Sequence, residues 1–136
     1  MDKQRSKVMK IAIATDDLKT IRSGHFGESK YYRIFTIEND RIVHEEVREN
    51  PYVKNDDHEH GQAKNIMQLL KDCDLFLARG MGMHSIPKLL RKGKKPVITK
   101  TNDISEALGN LLNKQFAEFK CIDENTMKFI PCHGGV

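Results

Sequence analysis

Val8-Met9-Lys10-Ile11-Ala12-Ile13-Ala14-Thr15 is a near-continuous apolar run, the pattern of a strand covered on both faces. Asp16-Asp17 ends it. Two later runs repeat the pattern, Cys73-Asp74-Leu75-Phe76-Leu77-Ala78 and Pro96-Val97-Ile98-Thr99, and each is reached through a helical stretch. Strands joined by helical crossovers run parallel to one another. The first run therefore sets the centre of a sheet, and the other two lie parallel to it.

Between the first and second of these runs stand two more strand candidates, Tyr31 to Glu38 and Arg41 to Arg48, separated by Asn39-Asp40. Asn and Asp tolerate the positive φ of a tight hairpin turn, so these strands pair antiparallel at one edge. Ile34, Phe35 and Ile37 supply the apolar side chains of one, and Ile42, Val43 and Val47 those of the other. Asn50-Pro51 breaks regular structure, and the polar loop 55–61 that follows carries His58 and His60. Three helices are expected. The first places Ala63, Ile66, Met67 and Leu70 on one face. The second is capped by Ser85, faces Ile86, Leu89 and Leu90 inward and stops at Gly93. The third begins at Asp103 with Glu106 three residues on, a variant of the capping box, and carries Ile104, Ala107, Leu108 and Leu111 on one stripe. Glu118 to Ile122 and Met127 to Ile130 form a small terminal hairpin. The expected architecture is a three-layer α/β domain: a mixed five-stranded sheet with the antiparallel hairpin at one edge and helices on both faces. One domain spans residues 8–130, between a disordered extension at 1–7 and a flexible Cys/His tail at 131–136.

The chain has 136 residues, of which 38% are apolar and 31% charged, enough for one domain with a real core. No apolar run approaches the roughly 20 residues that span a bilayer, and none has the form of a secretory signal. A cytoplasmic location with no membrane association is the default. Three cysteines without a CxxC pair form neither a disulfide framework nor a structural zinc site of the usual spacing. The net charge of +4 suits any anionic ligand. The densest basic cluster, Arg91-Lys92-Gly93-Lys94-Lys95, reads as the C-terminal end of a helix, where cations complement the macrodipole, rather than as a nucleic-acid surface.

In open α/β sheets, ligands collect beyond the carboxyl ends of the parallel strands. Two glycine loops leave those ends: Ser23-Gly24-His25-Phe26-Gly27 after the first strand, and Gly80-Met81-Gly82 after the strand from Cys73. Arg22 and Arg79 stand beside them, and the second loop leads into a helix N-terminus. The expected site is glycine-lined and cationic, with one imidazole at His25. A histidine between glycines is equally a turn residue held by ordinary hydrogen bonds, and Met81 and Met83 are either core caps or polarizable walls for a sulfur-rich ligand. His58 and His60 read first as surface histidines. Cys132 and His133 either form a loose tail or fold over the rim to supply a thiolate and an imidazole. A ribonuclease H-like hydrolase would need carboxylates at the ends of neighbouring strands to hold two metal ions. Asp16 and Asp17 end the first strand suitably, but Ala78-Arg79-Gly80 ends the neighbour, which argues against that chemistry.

These landmarks together resemble the dinitrogenase iron–molybdenum cofactor biosynthesis family. The resemblance rests on Lys10-Ile11-Ala12-Ile13-Ala14 leading to Ser23-Gly24-His25-Phe26-Gly27, then Asn50-Pro51, His60-Gly61, Gly80-Met81-Gly82 and Glu106-Ala107, over roughly Val8 to Phe116. It implies a ribonuclease H-like fold without the nuclease carboxylates. It also implies a non-catalytic protein that binds an iron–sulfur or iron–molybdenum type cluster, or its precursor, transiently and hands it from donor to acceptor proteins. His25 corresponds to the family's cofactor-associated histidine; adding His58, His60, Cys132 and His133 as metal ligands follows from ligand chemistry. The alternative is a small regulatory or scaffold domain that binds a partner protein or an anionic metabolite without metal. The free edge beside the hairpin fits a monomer or a weak homodimer.

Overall fold

The computed structural model describes residues 8–54, 61–81 and 85–132. Its strands are β1 (Val8–Thr15), β2 (Tyr31–Glu38), β3 (Arg41–Glu49), β4 (Leu75–Ala78), β5 (Lys95–Thr99), β6 (Phe119–Asp123) and β7 (Lys128–Pro131). The helices are α1 (Gly61–Leu69), α2 (Ser85–Arg91) and α3 (Ile104–Leu112). All seven strands form one mixed sheet in the order β3-β2-β1-β4-β5-β6-β7. β4 runs parallel to both β1 and β5, as the crossover argument requires.

The hairpin forms as its turn residues dictate. Asn39 and Asp40 take φ of 53° and 61°, the left-handed pair that matches the twist of a two-residue hairpin. β2 then pairs with β1 over eight positions, Val8 opposite Glu38 through Thr15 opposite Tyr31. On the other side of β4, the expectation of five strands fails. Phe119 and Cys121 pair antiparallel with Thr99 and Val97, and β7 adds outside β6. The terminal hairpin is thus part of the main sheet. The reason is burial: Phe119 is 1% exposed in the core, and β6 covers an edge of β5 that would otherwise stand open.

Alternation along β1 sends its side chains into two cores. Ile11 and Ile13 join Leu75, Leu77, Val97 and Phe119 beneath α3, whose Ile104, Ala107 and Leu108 close that layer. Ala12 and Ala14 face the opposite side with Phe76, Tyr32 and Ile34, under Ile66 and Leu70 of the α1 region and Leu89 of α2. Burying such a side chain stabilises the fold by roughly 1.5–3 kcal/mol, so the three-layer arrangement follows from the pattern of β1. α3 begins as expected, with the Asp103 carboxylate accepting the Glu106 N–H at 2.9 Å. α2 ends before Gly93, which holds φ 74°, a backbone state that favours glycine.

Two expectations about the cysteines need correction. Cys121 and Cys132 are joined by a disulfide, with their Cα atoms 5.0 Å apart. They come together because Cys132 continues β7 to lie opposite Phe119, donating its N–H to that residue's carbonyl, on the same face as Cys121. Pro131 and Cys132 therefore belong to the folded sheet and its extension, not to a loose tail. His133 and the rest of 133–136 lie outside the described residues, as do 1–7. Among the described residues no helix is long and apolar enough to cross a membrane.

Candidate functional site at the carboxyl rim of the sheet

After Thr15 the chain does not run freely to β2; it is knotted by its own carboxylates. Asp17 accepts the N–H groups of Thr20 (2.7 Å) and Lys19 (2.9 Å) and the Thr20 hydroxyl (2.8 Å). These donors, led by the Thr20 N–H, hold its carboxyl well below the usual carboxylate range. Asp16 accepts the Lys30 N–H at 2.9 Å and the Arg22 guanidinium at 2.6 Å. Arg22 also donates through Nε to the His25 carbonyl at 3.0 Å. A carbon placed on Gly24 as a side chain would meet this guanidinium at 3.3 Å, so glycine lets the arginine lie close across the loop. Arg22, expected to add positive charge beside the loop, also serves as a strut across it. Asp16 and Asp17 are likewise committed to holding the loop.

Within Ser23–Gly27 the two ring side chains separate. His25 is exposed and precedes a single 3-10 turn, Phe26–Glu28, whose Glu28 N–H returns to the His25 carbonyl. Phe26 turns inward, stacked on Phe76 with ring centres 5.1 Å apart and tilted against Tyr32 at 5.2 Å. The Tyr32 hydroxyl donates to the Phe26 carbonyl at 2.6 Å. Burial pushes that phenol well above its usual range, so it remains a donor. Phe26 is an anchor in the core, and it leaves the imidazole outside.

Asn50, 1% exposed, fastens the far end of the loop. Its amide donates to the carbonyls of Gly27 (3.2 Å) and Ser29 (2.8 Å), and its oxygen accepts the Tyr52 N–H. The Ser29 hydroxyl lies 2.9 Å from the Thr15 carbonyl and 2.7 Å from that of Tyr31, tying the loop to β1 and β2.

The two glycine loops do meet. A side-chain carbon on Gly80 would lie 3.7 Å from the Ser23 carbonyl oxygen, a contact made possible because β1 and β4 are parallel neighbours. Arg79 is exposed and donates to the Asn102 side chain at 2.9 Å. Met81 is half-buried against the core that holds Phe26 and Phe76. Gly82 lies outside the described residues. α2 begins at Ser85 and has seven residues, a short source of any dipole.

A third loop, unassigned by the sequence reading, joins this rim. Ile21 donates to the Asn102 carbonyl, Ile104 donates to that of Lys19, and Thr20 bridges Asp103. Residues 100–104 thus pair with the β1 loop and bring Asn102 to Arg79. The signal available in the sequence was only a polar run at the end of a parallel strand, which by position belongs to the same rim.

Of the proposed metal ligands, only His25 stands at this rim among the described residues. His58, His60 and His133 lie outside them. Cys132 is in the disulfide, past the end of β7. That end points the same way as the rim but lies three strands beyond β4, about 14 Å at the usual strand spacing. Among the described residues no group of three or more His, Cys, Asp or Glu comes together to hold a metal ion. The rim therefore offers an exposed imidazole, an exposed guanidinium and the backbone of three interlocked loops.

A family model described as dinitrogenase iron-molybdenum cofactor matches residues 7–114. The chain belongs to this family. The matched span covers β1 through α3 and stops short of the β6–β7 hairpin and its disulfide. No curated protein sequence matches the chain. Among solved structures, the fold is similar to that of PH0822, at 25% identity over 88% of this chain and 100% of that one, with a TM-score of 0.66. It is also similar to the apo form of the orange protein from Desulfovibrio gigas, at 18% identity over 82% of this chain and 92% of that one, with a TM-score of 0.63.

Proposed function

We propose that this protein is a non-catalytic carrier that binds an iron–sulfur or molybdenum-containing cluster, or its precursor, at the His25 rim and passes it between a donor and an acceptor protein. The observation that carries this reading is the division of labour in the Ser23–Gly27 loop. Every strong local contact, from Arg22, Phe26, Tyr32 and Asn50, fixes the backbone, while the His25 side chain stays exposed. A rigid loop with one free imidazole suits a single covalent ligand. An anionic cluster needs little more, because loop N–H groups and the Arg79 charge hold it electrostatically. One or few ligands also leave it transferable.

The frame on this reading is ribonuclease H-like without that fold's metal-binding carboxylates. Asp16 is paired with Arg22, and β4 ends at Ala78 with Arg79 next in the chain. The protein acts in the cytoplasm, away from membranes and nucleic acid. A second reading, binding of an anionic metabolite or an acidic partner surface without metal, is favoured by Arg79, whose described side-chain partner is the neutral amide of Asn102.

Anaerobic reconstitution with iron–sulfur and with molybdenum–sulfur clusters, read by absorption spectra of the wild type and His25→Ala, tests the proposal. The carrier reading expects retention by the wild type and loss in the variant. Retention by neither supports the metal-free reading instead.

A further inference from the structure

Cys121 and Cys132 lie outside residues 7–114, the span that matches the family, and away from the His25 rim. Each is half-exposed. Both pack at the margin of the core layer beneath α3. Cys73 is the contrast. It is fully buried, and burial pushes its thiol up to about 12, which leaves it an inert part of the core.

We propose that the reduced Cys121–Cys132 pair is a second, separate binding site: a two-sulfur clamp for a soft d10 ion of the Cu(I) type, closed when the disulfide forms. Thiolates select soft ions. Zinc is a poor fit, since its structural sites take four ligands and the described residues bring no third His, Cys, Asp or Glu to the pair. A soft monovalent ion accepts two sulfurs alone. The β6–β7 ladder sets the spacing before any ion arrives, because Cys132 is hydrogen-bonded to Phe119 and Cys121 sits on the same face two residues on.

The chemistry balances in both directions. Binding forms two metal–sulfur bonds and releases one proton from each thiol. Oxidation of the empty pair by a small disulfide forms the Cys121–Cys132 bond, and the two electrons and two protons leave with the oxidant as two thiols. A reducing compartment keeps the pair open.

The test uses the full chain, reduced and freed of reductant without oxygen, titrated with Cu(I) against a chromogenic copper chelator. Reduced wild type is expected to withdraw a single ion per chain. Cys121→Ser and Cys132→Ser should each lose that uptake, while Cys73→Ser and His25→Ala keep it. Disulfide-form protein should take up none until reduced. In parallel, alkylation of the reduced wild type read by mass spectrometry should show Cu(I) shielding Cys121 and Cys132, which needs no variant to fold. Equal uptake by the disulfide form, loss of uptake in His25→Ala, or alkylation of both cysteines indifferent to copper would overturn the proposal.

Discussion

The Arg22 guanidinium lies 2.6 Å from the Asp16 carboxylate and, through Nε, 3.0 Å from the His25 carbonyl. This one side chain ties the end of β1 to the residue expected to meet the ligand. It also commits the Asp16 carboxylate to a local ion pair. Arg22→Gln should lower stability by only about 1 kcal/mol, since the pair is partly exposed. Its larger effect should fall on the loop. Hydrogen exchange at residues 23–28 should accelerate, and cluster retention should fall although His25 is still present.

Phe26 and His25 are neighbours with opposite duties, and variants should separate them. Phe26→Ala removes a half-buried ring stacked on Phe76 and should destabilise by about 3 kcal/mol, the lower end of the range for aromatic truncation in a core. His25→Ala should stay within about 0.5 kcal/mol of wild type, as an exposed substitution, and lose binding. Urea unfolding of both variants checks the first halves of these statements.

Asn50→Ala should be more damaging than its position beside a proline suggests. The side chain is buried, and its loss strands the carbonyls of Gly27 and Ser29. Unsatisfied buried polar groups cost roughly 1–3 kcal/mol. Asn50→Asp should do no better, because a carboxylate cannot donate to those carbonyls. Denaturation midpoints of the two variants decide this.

Acid should weaken the fold through two carboxylates held below their ordinary range. Asp72 is held down chiefly by Arg48, which reaches it at 2.7 and 2.8 Å, with Lys10 at 3.0 Å. Asp17 is held down by the Thr20 and Lys19 N–H groups. Their folded pKa values lie below the unfolded ones, so the stabilisation is complete above about pH 4 and disappears as pH falls further. Stability should therefore fall as the pH drops below about 4. Asp72→Asn should be less stable at neutral pH and show a shallower acid decline.

Much of this fold was legible locally. The β1 run, the Asn39-Asp40 turn and the Asp103 cap are each set by a few adjacent residues, and each formed as the pattern requires. β6 and β7 have the same kind of local pattern, but their membership of the main sheet depends on which distant edge they cover. No periodicity records that, and the disulfide follows from the same long-range register. At the site, the position of His25 could be read because glycine loops after parallel strands share one rim. The roles of Arg22 and Phe26 could not. A cation beside a loop and a ring inside it look like binding groups until their partners, Asp16 and Phe76, are seen to occupy them. Asn102 escaped notice because its contribution arises only when the β5–α3 loop pairs with residues 19–21.

On the proposed reading, His25 holds a cluster on a loop built to present it. The most direct measurement is metal and sulfide content after anaerobic cluster loading and gel filtration, on wild type and His25→Ala side by side. The account predicts cluster retained by the wild type and absent from a His25→Ala protein whose unfolding curve is unchanged. Equal retention by the two proteins would contradict it.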